Sequence, residues 1–579
     1  MCGICGIVGH SDKHLVERML DAICHRGPDS FDVTATPQGA FGGCRLAIVG
    51  DHATTLPFWD GDTGSTVLFN GEIYNYREIT ELLELAAVSE ANAESHVLAH
   101  VLDRYGPEGV GRLKGMFAFA VFRNERLILG RDRLGIKPMF YTLIGADVVF
   151  GSEIKALLRH PGCSVALDEE VLDEIAVFGY IASKTRTAFS GVRQVPPGCV
   201  VCFEHGVEVV QRYWTPPVAF YAAREPDLHE SSTELFHVLR TSCEQVLHHD
   251  RHQKAFYLSG GVDSSLLASL AADLTSGSLK TFTLADAGDS PDLLAARSVA
   301  IAIGSDHSEI RVGLEDYLRE LPLFVRHYES PIAGGAFDLH GGMAFQILSQ
   351  RVSERARVAC SGEGADELFG GYYWIYTHPL GFADRIRGRL RAIGSPSSVA
   401  RRVEMLFPEP ENARTYQRNL FDFLLGGGLA NYHLWSIDRS CGAFGFEVRP
   451  PYLHDDVVEL ALSLPIQIKT NGTETKRVLK AAAEPLFSRL GIASCLTRLK
   501  DAMPAALRNV APQFDSLSGD LVPSSHIQHH PYRQYLHTRS ECILFDLFFY
   551  ILVANRGDLP GGFDLTEFYR DGTCEDLYR

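Results

Sequence analysis

The chain lacks the features that would place it in several classes at once. Its longest apolar run near the C-terminal end, Leu547 to Ala554, is eight residues, where a membrane-spanning helix needs about 20. Positive charge is short: 54 Lys and Arg stand against 72 Asp and Glu, a net charge of −18. So acidic a chain is not expected to bind nucleic acid or an anionic membrane. No internal repeat or low-complexity tract occurs. The opening segment, Met1-Cys2-Gly3-Ile4-Cys5 and onward, has no basic n-region and no extended apolar core, so it does not read as a signal peptide. The 13 cysteines are odd in number and scattered. A disulfide framework is therefore not expected, and the expected location is cytoplasmic. Cys2 and Cys5 have the C-x-x-C spacing but no second pair at metal-site spacing, and Cys5 reads as core.

What is present is an ordinary globular composition, 46% hydrophobic and 22% charged. The 579 residues predict two to four large domains. Residues 1 to about 205 alternate short β-like runs (Ala40–Val49, Ser65–Phe69, Met116–Phe122, Arg126–Gly130, Val148–Gly151, Val200–Phe203) with helical stretches near Leu15–Cys24 and Glu94–Tyr105. That pattern predicts sheets with helices packed on them. Trp214 through Pro226 reads as a linker. Beyond it, strands Ala255–Leu258, Leu279–Leu284, His307–Val312 and Arg357–Cys360 alternate with helices, which predicts a doubly wound parallel sheet. From about Leu380 the chain reads as mostly helical.

Cys2 is the first candidate nucleophile. Removal of Met1 would leave a thiol and an α-amine on one residue, and an α-amine with a pKa of about 7.7–8.0 can take the thiol proton near neutrality. Asn70-Gly71 by itself reads as a hairpin turn, the commonest use of that dipeptide. In the second half, Ser259-Gly260-Gly261-Val262-Asp263-Ser264-Ser265 lies between a predicted strand and a predicted helix. Glycines, hydroxyls and a helix N-terminus suit an anion, and the Gly-Lys-Ser/Thr ending of a Walker A loop is absent. A second run, Ser361-Gly362-Glu363-Gly364-Ala365-Asp366-Glu367-Leu368-Phe369-Gly370-Gly371-Tyr372, follows strand Arg357–Cys360. Asp263 and Asp366 thus both fall after strands, on the edge where open sheets bind ligands.

Cys2, His25–Asp29, Arg45–Val49, Phe69–Asn75, Arg131–Pro138 and Ser152–Leu157 occur in one order. In this order the first half resembles the class II, N-terminal-nucleophile glutamine amidotransferases, specifically those of glutamine-hydrolysing asparagine synthetases. The second half resembles the PP-loop ATP pyrophosphatases. The resemblance implies an αββα nucleophile-hydrolase sandwich over residues 1–210, a linker over 211–230, and an adenylating α/β domain with a helical C-terminal part over 231–579. It implies that Cys2 attacks glutamine, that Asn70 and Gly71 hold the oxyanion, and that Arg26 supports the site. Arg45, Ile48, Val49, Asn70, Gly71, Glu72 and Glu94 would bind glutamine. Leu258, Ser259, Gly260, Gly261, Asp263, Ser264, Ser265, Leu284, Ser361 and Gly362 would bind ATP and pyrophosphate, and Asp263 and Asp366 would hold Mg²⁺. Glu363 would deprotonate ammonia and Lys476 would assist adenylation. The substrates implied are glutamine, ATP and a carboxylic acid acceptor, aspartate first, with a homodimer as the candidate assembly.

Departures from the family pattern are Glu94 and Gly50 where aspartates are usual, His454 where the pattern has Asp, and the segments Ser330–Asp338 and beyond Arg498. They keep open a different acceptor or donor. β-Lactam synthetases, which share the second half, carry an aromatic at the position of Glu363 and lack the N-terminal Cys. Cys2 and Glu363 together therefore favour ammonia as the attacking group, and argue against a non-catalytic homologue.

Overall fold

The computed structural model describes the chain apart from residues 51–55, 87, 218–225, 287–289, 332–335, 373–378, 395–396, 408–418, 420–422, 499–505, 571–572 and 579. Two antiparallel six-stranded sheets are built from residues before 213. The first runs Arg193–Gln194, Phe140–Ile144, Asp147–Gly151, Gly3–Val8, Gly39–Arg45, Ser30–Thr36; the second runs Val207–Arg212, Cys199–Glu204, Arg126–Arg131, Gly115–Arg123, Ser65–Ile73, Phe58–Asp60. Alternation within the strands sends Ile4, Phe41 and Phe150 of one sheet against Leu68, Ala120 and Leu129 of the other. Helix Lys13–Asp21 covers the outer face of the first sheet through Val16 and Leu20, and helix Ala93–Tyr105 covers the second through Val97 and Val101. The layers are α, β, β, α.

The third sheet is parallel, in the order Asp306–Arg311, Lys280–Ala285, Lys254–Tyr257, Val358–Cys360, Glu447–Arg449. Its central strand alternates faces: Ala255 and Tyr257 enter one helix-covered core, Phe256 and Leu258 the other. Burial on both faces is the usual condition of parallel sheets. Among the described residues, no helix is long and apolar enough to cross a membrane.

Three expectations are corrected. The strand expected over Ala40–Val49 leaves the sheet at Arg45, because the Arg45 guanidinium donates to the carbonyl of Val49 at 2.6 Å and folds 46–49 inward. Asn70-Gly71 is no hairpin turn; it lies within Ser65–Ile73, opposite Ala118 and Phe117. The strand Glu447–Arg449, absent from the strands expected for the parallel sheet, is one of its edges. Its charges hid it: Glu447 and Arg449 are fully paired below the surface. Residues 332–335 and most of the expected linker lie outside the described residues.

Candidate active sites

The first site sits where the first strand begins. The amide of Cys2 donates to Asn70 Oδ1 at 2.9 Å. Asn70 Nδ2 is buried with no hydrogen-bond partner among the described residues, so the side chain is anchored by its oxygen while its N–H donors stay uncommitted. Gly71 has φ +144°, and a Cβ there would lie 2.0 Å from the carbonyl oxygen of Met116. Only glycine allows this close approach of strands. A cleft beside them is lined by Cys2, Arg45, Ile48, Val49, Gly71, Glu72 and Glu94. Every residue predicted to bind glutamine therefore faces one cleft except Asn70, which backs it through Cys2.

Arg26 supports this site from beneath. Its Nε donates to the Cys2 carbonyl at 3.1 Å, and its Nη1 reaches Glu153 at 2.8 Å and Asp438, in the C-terminal half, at 2.9 Å. These carboxylates raise the guanidinium pKa against the opposing effect of burial, which is the larger single influence. Met1 is buried here as well: its Sδ accepts from Arg26 at 2.7 Å, and its amine lies 3.7 Å from Glu447. Glu94 accepts from the amide of Ile73 at 2.5 Å. Burial, and then the neighbouring Glu72 carboxylate, raise the Glu94 pKa.

The second site lies at the C-terminal edge of the parallel sheet. Strand Lys254–Tyr257 ends in Ser259–Gly261, and helix Val262–Leu274 starts immediately after. Ser259 and Ser264 close the loop through their hydroxyls at 3.1 Å. Gly260 has φ +73°, and its added Cβ would meet Ala295 Cβ at 2.5 Å. Gly362 touches this loop: a Cβ there would stand 3.3 Å from Asp263 Cβ. Lys476, in the left-handed region at φ +56°, points Nζ between Asp263 Oδ2 (2.6 Å) and Asp366 Oδ1 (2.7 Å). The two aspartates are thus within reach of one cation. Asp263 Oδ1 and the Ser361 hydroxyl are buried without hydrogen-bond partners among the described residues. Ser265 is buried in the first turn of the helix. The side chains of Leu258 and Leu284 are core, and their backbone lies at the sheet edge.

Glu363 meets His433 Nδ1 at 3.5 Å. His433 Nε2 in turn meets the Tyr372 hydroxyl at 2.8 Å, and that hydroxyl donates to Glu367 at 2.5 Å. His454 is occupied structurally. It is buried, its Nδ1 accepts from the Asp456 amide at 3.4 Å, and it stacks on Tyr74 at 5.3 Å; burial lowers its pKa to about 4. Motif reading missed His249, His433 and Arg498, whose Nη1 donates to the Ser259 carbonyl at 3.1 Å. For His249 the one visible signal is the run His248-His249-Asp250 ending a helix.

An αββα sandwich carrying Cys2, joined to a parallel sheet carrying a glycine–serine anion loop, defines a two-part glutamine-dependent amidating enzyme. Residues 1–214 match the family model described as glutamine amidotransferase domain, and residues 234–539 match that described as asparagine synthase. The latter spans more than half the chain, and the chain belongs to the asparagine synthase family. Asparagine synthetase (glutamine-hydrolyzing) 1 of Bacillus subtilis (strain 168) is 28% identical over 571 residues, covering 87% of this chain and 88% of that protein. Asparagine synthetase (glutamine-hydrolyzing) 2 of Oryza sativa subsp. japonica is 26% identical, covering 83% and 72%. Among solved structures, glutamine phosphoribosylpyrophosphate amidotransferase from B. subtilis, complexed with ADP and GMP, covers 55% of this chain and 92% of that one at 15% identity and a TM-score of 0.30.

Proposed function

We propose that the chain converts aspartate to asparagine with ammonia drawn from glutamine, using ATP to activate the acceptor as an acyl-AMP. The division of labour is residues 1–210 for glutamine, 211–230 as connector and 231–579 for adenylation. The observation that carries the first half is the uncommitted Asn70 amide held beside Cys2. After Met1 is removed, the Cys2 α-amine takes the thiol proton. The thiolate attacks the side-chain carbonyl of glutamine, with Arg45 on the α-carboxylate and Glu94 on the α-amine. Asn70 Nδ2 and the Gly71 amide receive the oxyanion. Ammonia leaves, and water releases glutamate from the thioester.

In the second half the Ser259–Ser265 loop takes the triphosphate, and attack of the acceptor carboxylate on the α-phosphate expels pyrophosphate. Asp263 and Asp366 fit Mg²⁺, since both reach one cation and Asp263 Oδ1 has no hydrogen-bond partner among the described residues. Bound there, Mg²⁺ would neutralise phosphate charge. Lys476, on its flexible stem, then turns to the phosphates. Glu363, beside His433, takes a proton as ammonia adds to the adenylate, and AMP departs. Support for aspartate as the acceptor comes from relatives named asparagine synthetases over nearly their whole length. The test is AMP release over a panel of carboxylates with ATP-Mg²⁺, using wild type and Cys2→Ala. Aspartate should be preferred, and Cys2→Ala should lose glutamine-dependent but keep ammonia-dependent synthesis. Preference for another acid would overturn the acceptor, and glutamine hydrolysis by Cys2→Ala would overturn the nucleophile.

A further inference from the structure

The glutamine cleft is not finished by its own half of the chain. Helix Leu228–His248, which packs on the parallel sheet's side of the molecule, ends by placing the buried His249 against the cleft's two acids. His249 Nε2 lies 2.6 Å from Glu72 Oε2 and 3.5 Å from Glu94 Oε1. The other Glu72 oxygen pairs with Arg449 at 2.7 Å, and Arg449 pairs with Asp250 at 2.7 Å and Glu447 at 2.9 Å. Tyr74 and Tyr76 pack edge-on against the imidazole. Glu94 is the residue where the sequence is one methylene longer than the family pattern. That extra reach ends on the Ile73 amide and within ion-pair distance of His249.

We propose that His249 is a positioning residue of the glutamine α-amine subsite: its imidazolium, supplied by the C-terminal half, lies against both Glu72 and Glu94 and keeps Glu94 a carboxylate that receives the substrate ammonium. The inference rests on the glutamine-hydrolysing reading above. Two buried carboxylates at one site repel, and one takes up a proton unless a cation intervenes. Glu72 already has both oxygens on cations, Arg449 and His249; Glu94 is the acceptor left facing the cleft. The groups that set its charge are Glu72, His249 and Arg449, with Glu447 and Asp250 behind Arg449, Tyr74 and Tyr76 alongside, and Arg45 across the cleft. Both acids raise the imidazole pKa to about 9, against burial, which is the larger single influence. His249 is thus charged at neutral pH. Without it, Glu94, already raised by burial and Glu72, takes a proton more readily and offers the ammonium a neutral partner.

The experiment is steady-state glutaminase kinetics of wild type, His249→Ala, His249→Gln and the double variant with Glu94→Gln, from pH 6.5 to 8.5, with ammonia-dependent synthesis as the check on folding. His249→Ala and the near-isosteric His249→Gln should raise the glutamine KM about tenfold at pH 6.5, the order of one charge-assisted contact, with kcat within about twofold. Their KM should fall back as pH rises and Glu94 ionises, while wild type stays flatter. Adding Glu94→Gln should cost little more, because His249 acts through Glu94. Ammonia-dependent synthesis should be unchanged. A KM equal to wild type in His249→Gln, or a raised KM that does not respond to pH, overturns the role of the charge. Parallel loss of ammonia-dependent synthesis would reduce His249 to packing. Absence of glutaminase activity in wild type would defeat the underlying reading instead, so the two failures are distinguishable.

Discussion

Each half of the molecule brings two carboxylates from distant segments to one point, and each pair is spanned by a cation. At the glutamine cleft the pair is Glu72 and Glu94 and the cation is the His249 imidazole. At the sheet edge the pair is Asp263 and Asp366 and the cation is Lys476. The chemistry of the two cations separates their uses. An imidazolium is a rigid ring on a short stem, and this one arrives from the other half of the chain, fixed against Glu72 and Glu94. A lysine ammonium is a point charge on a flexible stem. It can hold two aspartates together in the free enzyme and move to phosphate oxygens when ATP-Mg²⁺ takes its place.

The comparison breaks most decisively at the sheet edge. Asp263→Asn and Asp366→Asn each leave Lys476 with one of its two aspartate partners and would take a ligand from the proposed metal site. AMP and pyrophosphate formation should fall by at least about 10²–10³-fold, the scale of losing one preorganised electrostatic contact, while glutamine hydrolysis continues. Normal adenylation by either variant at low Mg²⁺ would reject the assignment. A smaller loss is expected at Gly371, where an added Cβ would lie 1.8 Å from Asp366 Oδ1 and 2.2 Å from Lys476 Cε. In Gly371→Ala both side chains must shift, and displacement of about 1 Å at a reacting centre can cost about 10²-fold. The check is the same AMP assay, and an unaltered rate would mean that the Lys476 bridge is not needed for turnover.

The two sites also differed in how far they could be read from sequence. Cys2, Arg45, Gly71 and Glu72 stand in ordered motifs, and local backbone demands, such as the strand contact at Gly71, tie residue type to place. His249 carries no motif, because its partners lie across the interface and long-range ion pairs leave no periodicity. The short or polar strands Ser30–Thr36, Phe58–Asp60 and Val207–Arg212 escaped for a related reason. They are edges, with charged or exposed positions that blur alternation.

The smallest effect sharpens the comparison through stability. His249 has a folded pKa of about 9 against roughly 6.5 unfolded. Its pairing therefore contributes fully below pH about 6.5, and the contribution is lost as pH rises through about 9, because the native state binds the extra proton over that window. His25 has the opposite sign. Burial lowers its folded pKa to about 4 while Glu153 opposes the shift, so the unfolded chain binds more protons between about pH 4 and 6.5, and stability is lost as pH falls through that range. Thermal melts from pH 4 to 9.5 should thus decline on both limbs. In His249→Gln the alkaline decline should flatten by a few degrees at most while the acid limb is unchanged, since His25 and its Glu153 partner are untouched. An alkaline limb identical in wild type and His249→Gln would show that the imidazole carries no charge at the interface, and would remove the contrast between the two pairs.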